Sequence, residues 1–375
     1  MIPKFAAAGL LCMAVFFHAR AATPASAPPL LIDLDHFDAM KKYVTLPNGQ
    51  LLAYIDTGNR RGQPVVLIHG YSDSARDWVL LLPYLPKRDR LILVDIRGHG
   101  KSGKPECCYS RFDFAYDLKL LLDKLKIERA DIVGHSLGSI ITQTLAEIWP
   151  DRINRVVLIS STGGPRKDVV PRPLVFDFAS EIRKLKEPIE ADSPFMIDWW
   201  SSPKPVNEDF IRRERMDAAA IPLRVWLAVL DQGLGYGDLQ ATLPKLMAPA
   251  LLIWGSEDPI MLEDGRQSLR KALPEATVKI FDGLGHNPFW EDPPAVAAVI
   301  NGFLDAGSKL HQKKFAANTN AMAIGQTNRS SQPTTMRPDG VVSLISSAKI
   351  DRLMRQPTNT LVKKAPTGSR MFEAK

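Results

Sequence analysis

A serine between two glycines is the strongest chemical signal in the chain. Residues 134–138 have the sequence Gly-His-Ser-Leu-Gly, after an apolar run that predicts a strand and before a run that predicts a helix through Leu145. A serine on a sharp strand-to-helix turn projects its hydroxyl above the sheet, and the flanking glycines leave space for that turn. The following helix directs N–H groups to the place where negative charge would develop. This context predicts that Ser136 is a nucleophile.

A neutral serine hydroxyl is a weak nucleophile and needs a neighbouring base. The chain has seven histidines, of which His18 and His311 lie near the termini. His286 follows the last predicted strand on a glycine-flanked loop, which is expected at the same sheet edge as Ser136. We therefore predict that His286 is the base. Of the other four, His36 precedes the first predicted strand, and His69, His99 and His135 lie inside turn motifs.

The base in turn needs an acid to hold its tautomer. Residues 254–259, Trp-Gly-Ser-Glu-Asp-Pro, end a predicted strand and offer two carboxylates. Asp258 is the better candidate than Glu257, because it lies on the turn before Pro259, which biases Asp258 towards an extended backbone. The alternative is a carboxylate that caps the next helix. With Asp258, the chain order is nucleophile, acid, base.

The elements that must position these residues alternate between short apolar runs and amphipathic runs. This alternation predicts βα units and a parallel sheet. Asn48-Gly49, between alternating residues of the segment 43–55, indicates a hairpin. The buried strands are predicted at residues 64–68, 90–95, 130–134, 155–159, 250–254 and 277–281.

The strand pattern stops between residues 165 and 243, where prolines, charged helical runs and large apolar residues occur. We interpret this stretch as a helical lid. Its large side chains either line an apolar pocket or attach the lid to the body, and the sequence leaves both open. No dense cationic group occurs there, so an acidic or phosphorylated substrate is not indicated. The side chains concerned are Phe195, Met196, Trp199, Trp200 and Trp226.

The N-terminus has the pattern of a signal peptide at residues 1–21. Lys4 precedes an apolar run, Phe5–Phe17, and Ala19-Arg20-Ala21 is a small-x-small cleavage pattern. The apolar run is shorter than the roughly 20 residues that span a bilayer, although an uncleaved anchor is the alternative. We expect export to the periplasm or secretion, with no stable membrane anchor after cleavage, and a flexible leader at residues 22–35.

The net charge of +7 is located in the C-terminal tail. Residues 307–375 contain 12 Lys and Arg against 3 Asp and Glu, which is +9 and leaves −2 for the rest. The tail is polar and without hydrophobic periodicity, so we predict disorder; a basic surface-binding arm is the alternative. No nucleic-acid partner is expected for the folded body.

The chain has three cysteines, and Cys12 lies in the predicted signal peptide. Cys107 and Cys108 are adjacent, which excludes a disulfide framework. They form either a strained vicinal bridge or two thiols without a role. The histidines are dispersed and no paired-cysteine motif occurs, so no metal site is expected. Catalysis by a serine, a histidine and an acid needs no cofactor, so none is expected.

Five motifs in this order resemble the α/β-hydrolase superfamily, in the branch with esterases, lactonases, epoxide hydrolases and haloalkane dehalogenases. They are residues 69–71, 95–105, 134–138, 254–259 and 285–286, and the resemblance extends from Tyr43 to Leu304. It implies an α/β fold over residues 36–306, with a mostly parallel central sheet flanked by helices and a helical lid. It also implies an oxyanion hole from the backbone N–H groups of Tyr71 and Leu137. In that family, the segment that corresponds to residues 95–102 is mostly structural, and the same is implied for His69 and His135.

One departure within this branch predicts the chemistry. The dehalogenases and epoxide hydrolases have a carboxylate as nucleophile, whereas Ser136 would form an acyl-enzyme from a carboxylic ester or lactone. A small-molecule ester or lactone of moderately large, apolar shape is therefore the expected substrate. A C–C bond hydrolase or lyase on the same three residues is the first alternative. A non-catalytic ligand-binding module is the second, and the oligomeric state stays open.

Overall fold

The computed structural model describes residues 26–164, 177–234 and 239–306. The predicted signal peptide and tail lie outside these ranges, as do residues 165–176 and 235–238 of the predicted lid. An eight-stranded sheet with the order β1-β2-β4-β3-β5-β6-β7-β8 forms the centre. Its strands are β1 Lys42–Thr45, β2 Leu51–Asp56, β3 Pro64–Ile68, β4 Arg90–Asp95, β5 Ala130–His135, β6 Ile153–Ile159, β7 Ala250–Gly255 and β8 Thr277–Phe281.

The sheet is mostly parallel, as predicted. β1 pairs antiparallel with β2, and β2 antiparallel with β4, whereas all other neighbours are parallel. The turn of the predicted hairpin contains Gly49 with φ of +84°, a backbone conformation that glycine adopts without cost. Every residue of β4, β5 and β7 is buried, which explains why the central residues of these strands are mostly apolar rather than alternating between apolar and polar.

Helices connect the strands and cover the sheet. They are α1 Leu34–Ala39, α2 Arg111–Lys124, α3 Leu137–Ile148, α4 Phe178–Lys184, α5 Pro194–Trp199, α6 Glu208–Ala219, α7 Leu223–Ala228, α8 Leu239–Thr242, α9 Glu263–Ala272, α10 Pro288–Glu291 and α11 at 293–306. α2 begins at a capping box, in which Ser110 and Asp113 each accept from the other's backbone N–H. Within the described ranges, no helix is both long and apolar enough to cross a membrane.

Helices α4–α8 form a helical segment between β6 and β7, and this segment is attached to the loop after β3. The indole Nε1–H of Trp199 donates to Ser72 Oγ at 2.9 Å. The hydroxyl of Tyr71 donates to the carbonyl oxygen of Trp226 at 2.6 Å. The buried Arg76 guanidinium also contacts Glu214 of α6 at 3.2 Å. The segment therefore packs directly on residues that follow β3.

The adjacent cysteines form a disulfide in the loop before α2. Cys107 and Cys108 are bonded to each other, which decides between the two possibilities that the sequence left open. The carbonyl of Cys108 accepts from Arg97 Nη1 at 2.6 Å. The same loop contacts the helical segment, because Arg224 of α7 donates to the carbonyl oxygens of Lys104 and Pro105.

Candidate active site

Ser136 lies on a strained turn between β5 and α3. Its φ is +49° and its ψ is −117°, a region that non-glycine residues rarely adopt and that costs about 1–3 kcal/mol. The glycines of the motif allow the close packing of this turn. A Cβ at Gly138 would lie 2.2 Å from the carbonyl oxygen of Ile68, and one at Gly134 would lie 2.4 Å from that of Gly138. The motif thus has the geometry that its spacing predicts.

His286 and Asp258 are paired at the ends of their strands. Nδ1 of His286 lies 3.0 Å from each carboxylate oxygen of Asp258. Burial alone would raise the pKa of Asp258, but His286 and the backbone N–H groups of Ile260 and Met261 outweigh it and hold that pKa at about 2. A carboxylate beside Nδ1 keeps the proton on that nitrogen, so Nε2 is left as the acceptor.

The structure separates the two carboxylates that the sequence offered. Asp258 is buried against His286, whereas Glu257 is exposed and donates its backbone N–H to the carbonyl of Leu284 at 2.9 Å. Of the two carboxylates, only Asp258 contacts the imidazole.

The backbone around His286 is held by three hydrogen bonds. Its carbonyl oxygen accepts from Ser160 Oγ at 2.6 Å and from the Nε2–H of His135 at 3.1 Å. The N–H of the preceding residue, Gly285, donates to Glu291 Oε1 at 2.8 Å. These contacts fix the loop relative to β5, β6 and α10. The position of the His286 imidazole is therefore determined by backbone hydrogen bonds as well as by the packing of its side chain.

A cavity of about 350 Å³ contains both Ser136 and His286 in its lining. Its walls are largely apolar, and the helical segment contributes part of them. The aromatic lining residues are Tyr71, Phe178, Trp199, Trp200 and Trp290, with Pro203, Leu234, Pro259, Ile260 and Met261 completing the apolar surface. A volume of this size suits a small-molecule ligand.

The five large side chains of the predicted lid divide into two groups. Trp199 and Trp200 line the cavity. Phe195, Met196 and Trp226 are not among its lining residues: Phe195 stacks on Trp199 with ring centroids 5.9 Å apart, and Trp226 packs edge-on to Tyr71 at 5.1 Å. Met196 and Trp226 are fully buried. These three side chains therefore pack behind the cavity wall. Their position corresponds to the second alternative, in which large side chains attach the lid to the body.

The two predicted oxyanion N–H groups belong to Leu137, the residue after Ser136, and to Tyr71, which lines the same cavity as Ser136. Leu137 is the first residue of α3, and an N–H at that position has no acceptor within its helix. The N–H of Tyr71 has no acceptor in the described ranges. Both residues are buried, so an acceptor from a ligand would satisfy groups that the protein leaves unpaired.

The charged residues of the cavity are all acidic. Asp73, Asp198 and Glu257 belong to its lining, and no lysine or arginine of the described ranges does. Burial raises the pKa of Asp73 well above its usual value, and the carboxyls of Asp77 and Glu214 raise it further. These acids were not predicted from the sequence, in which the position of Asp73 shortly after a buried strand was the available signal.

Comparisons with known proteins agree with this architecture. Residues 63–293 match the family model described as the alpha/beta hydrolase fold. An uncharacterized protein of Mycobacterium tuberculosis is 30% identical over 259 residues, covering 65% of this chain and 76% of the relative. A 2-hydroxy-6-oxononadienedioate/2-hydroxy-6-oxononatrienedioate hydrolase of Paraburkholderia phymatum is 31% identical over 285 residues, covering 71% and 96%.

Solved structures show the same fold. An esterase from Exiguobacterium antarcticum has a TM-score of 0.63 and 20% sequence identity, and the match covers 71% of this chain and all of the esterase. At this identity the likeness concerns the fold alone.

Proposed function

Because the chain belongs to the α/β-hydrolase fold family, we propose that it is a serine hydrolase that cleaves carboxylic esters through an acyl-enzyme on Ser136. The observation that carries this proposal is the pairing of His286 with Asp258 at 3.0 Å, at a cavity that Ser136 also lines. A serine, a histidine and a buried carboxylate in this order are the components of acyl transfer.

The reaction proceeds in two stages. Nε2 of His286 takes the proton of the Ser136 hydroxyl while its oxygen attacks the ester carbonyl, and the imidazolium then gives that proton to the leaving alcohol. In the second stage His286 takes a proton from water, whose oxygen attacks the acyl-enzyme. The imidazolium then returns that proton to Ser136 Oγ as the carboxylic acid leaves. Asp258 stays ionised throughout, since its pKa is about 2, and stabilises the imidazolium.

The backbone N–H groups of Tyr71 and Leu137 stabilise the oxyanion of the tetrahedral intermediates. They need no reorganisation, because they belong to a buried loop and to the start of α3. The loss of one such donor costs about 10²–10³ in rate in enzymes of this type.

The cavity favours a neutral, apolar ester. Its aromatic walls offer apolar contact area, and Asp198 and Glu257 repel carboxylates near the opening. The named substrates of the Paraburkholderia phymatum relative are dioates, which carry two carboxylates. C–C bond hydrolysis on the same three residues is the second candidate, because that relative is 31% identical over most of its length.

A substrate panel tests the proposal. The parent and Ser136→Ala are assayed with p-nitrophenyl esters of increasing acyl length, with lactones and with a dioate meta-cleavage product. We expect turnover of neutral esters, and loss of at least about 10³-fold of that activity in Ser136→Ala. Exclusive turnover of the dioate would favour the second candidate. Tight ligand binding without any turnover would favour a binding module, and an equally active Ser136→Ala would contradict the proposal.

A further inference from the structure

A buried group of three titratable side chains lies beside the cavity and has no role in the proposed reaction. Asp73, Asp77 and His135 approach one another from the loop after β3 and from the end of β5. Nδ1 of His135 lies 3.5 Å from Asp77 Oδ2 and 3.9 Å from Asp73 Oδ2. All three side chains are at least nine-tenths buried. Asp73 and His135 also line the cavity, so the cluster borders the site of Ser136.

The imidazole of His135 is oriented with its free nitrogen towards the carboxylates. Its Nε2–H donates to the carbonyl oxygen of His286 at 3.1 Å, which leaves the lone pair on Nδ1. Within the described ranges neither this Nδ1 nor Asp77 Oδ2 has a hydrogen-bond partner. The other oxygen of Asp77 accepts from Trp290 Nε1 at 2.8 Å. Such outer hydrogen bonds, to the far nitrogen of a histidine and the far oxygen of a carboxylate, orient metal ligands in known sites.

The two carboxyl groups lack a basic partner. The nearby Glu214 is paired with Arg76 at 3.2 Å. No lysine or arginine of the described ranges forms an ion pair with Asp73 or Asp77. A buried carboxyl group without a basic partner is either protonated or bound to a cation. The unpartnered Nδ1 of His135 adds a nitrogen to the two carboxylates, so the cluster offers three ligand atoms to a cation.

The spacing of the three atoms suits a metal ion. They all lie within 4.8 Å of one another, and Nδ1 of His135 lies 3.9 and 3.5 Å from the two carboxylate oxygens. These separations are close to those of two ligands that each lie about 2.0–2.2 Å from one metal ion. We propose that Asp73, Asp77 and His135 bind a divalent transition-metal cation such as Zn²⁺. An imidazole with two carboxylates suits Zn²⁺ or Mn²⁺ better than Mg²⁺ or Ca²⁺, which prefer oxygen ligands alone.

This site differs from the usual closed structural site. Three protein ligands leave a coordination position open, and because Asp73 and His135 line the cavity, that position faces the space in which a substrate would bind. The sequence suggested no metal site because the histidines are dispersed. The ligands come from residues 73, 77 and 135, which only the pairing of β3 with β5 brings together.

Zinc binding by the chain itself tests the proposal independently of hydrolysis. The full protein is treated with a chelator, exchanged into chelator-free buffer and titrated with ZnCl₂ by isothermal calorimetry, with thermal melts in parallel. Co²⁺ serves as a spectroscopic probe of the ligand field. We expect saturation at one ion per chain and a rise of the melting temperature with metal concentration.

Three variants separate this site from adventitious binding. Asp73→Asn and Asp77→Asn each remove one ligand, and each should weaken Zn²⁺ binding at least about tenfold. Glu147→Gln alters another buried acid, near the C-terminal end of α3 and outside the ligand set, and should bind like the parent. If Asp77→Asn does not fold, Asp73→Asn at the cavity wall still supplies the comparison. No saturable binding at millimolar Zn²⁺, or equal binding by the Asn variants and the parent, would overturn the proposal and leave the acids protonated. Neither result bears on ester hydrolysis.

Discussion

The carboxylate of Asp258 holds the imidazole of His286 with both oxygens 3.0 Å from Nδ1. Oδ1 also accepts hydrogen bonds from the backbone N–H groups of Ile260 and Met261. These bonds orient the carboxylate independently of the imidazole. The imidazole is thereby presented to the cavity with Nε2 free. This relationship connects the turn after β7 with the loop after β8, two neighbouring parallel strands.

Replacement of Asp258 should abolish most activity without loss of the fold. Asp258→Asn keeps the shape but offers Nδ1 an amide, which stabilises the wrong tautomer, so kcat should fall by about 10⁴-fold. Glu275→Gln is the matched control, since that side chain is exposed, does not line the cavity and should change kcat less than about threefold. Steady-state kinetics on the best ester of the panel decide. Similar losses in both variants would contradict the assignment.

The phenol of Tyr71 should have little part in the chemistry, because the proposed oxyanion donor is its backbone N–H. Tyr71→Phe removes only the hydrogen bond to the carbonyl oxygen of Trp226, which contributes about 1 kcal/mol to stability. We expect kcat within about fivefold of the parent. Tyr109→Phe, which loses a similar bond to the Pro105 carbonyl, is the control. A hundredfold loss confined to Tyr71→Phe would show that the phenol itself acts on the substrate.

Glycine at the end of the nucleophile motif is a packing requirement. In Gly138→Ala the new Cβ would meet the Ile68 carbonyl oxygen at 2.2 Å, which forces backbone to move and should cost about 1–3 kcal/mol or more. Gly302→Ala is the control, because no atom lies within 4 Å of its Cβ and alanine favours the helix by about 0.5–1 kcal/mol. In urea denaturation, the free energy of unfolding should therefore be lower than that of the parent for Gly138→Ala and higher for Gly302→Ala. A stable Gly138→Ala would refute the close approach.

Asp131 should make the protein less stable as the pH rises. Burial raises the pKa of Asp131 to about 7, although Arg155 at 3.6 Å opposes the shift. Between pH 4 and 7 the unfolded chain therefore loses a proton that the folded chain keeps, so the free energy of unfolding falls across this window. Asp131→Asn should reduce that slope by the part that Asp131 contributes, which is a few kcal/mol for a full shift. Glu147 and Glu291, whose pKa values burial also raises to about 7, keep the remainder.

Urea denaturation of the parent and Asp131→Asn at pH 5 and pH 8 measures this slope. The exposed Asp151 supplies the control variant Asp151→Asn, which should keep the slope of the parent. An unchanged slope in Asp131→Asn would mean that Asp131 is ionised in the folded protein at neutral pH.

The sheet and its motifs were predictable because their signals are local. Fully buried parallel strands are mostly apolar in sequence. Gly138 is a glycine because the neighbouring backbone leaves no space for a side chain. The choice of Asp258 over Glu257 followed from the proline after it. Each of these signals lies within a few residues of the position that it specifies.

The cavity was less predictable because its composition depends on packing between distant segments. Trp199 and Trp226 are both tryptophans of the predicted lid, yet of the two only Trp199 lines the cavity. The acids of the lining and the cluster of Asp73, Asp77 and His135 depend on how β3, β5 and the helical segment meet. Their spacing along the chain does not indicate that contact.

Covalent labelling of Ser136 tests the central claim most directly. The protein is treated with a fluorophosphonate, digested and mapped by mass spectrometry, while residual esterase activity is followed. We predict one label per chain, on the peptide that contains Ser136, with activity lost in proportion to labelling and no label in Ser136→Ala. Full activity in the completely labelled protein, or a label on another serine that accounts for the loss of activity, would contradict the account.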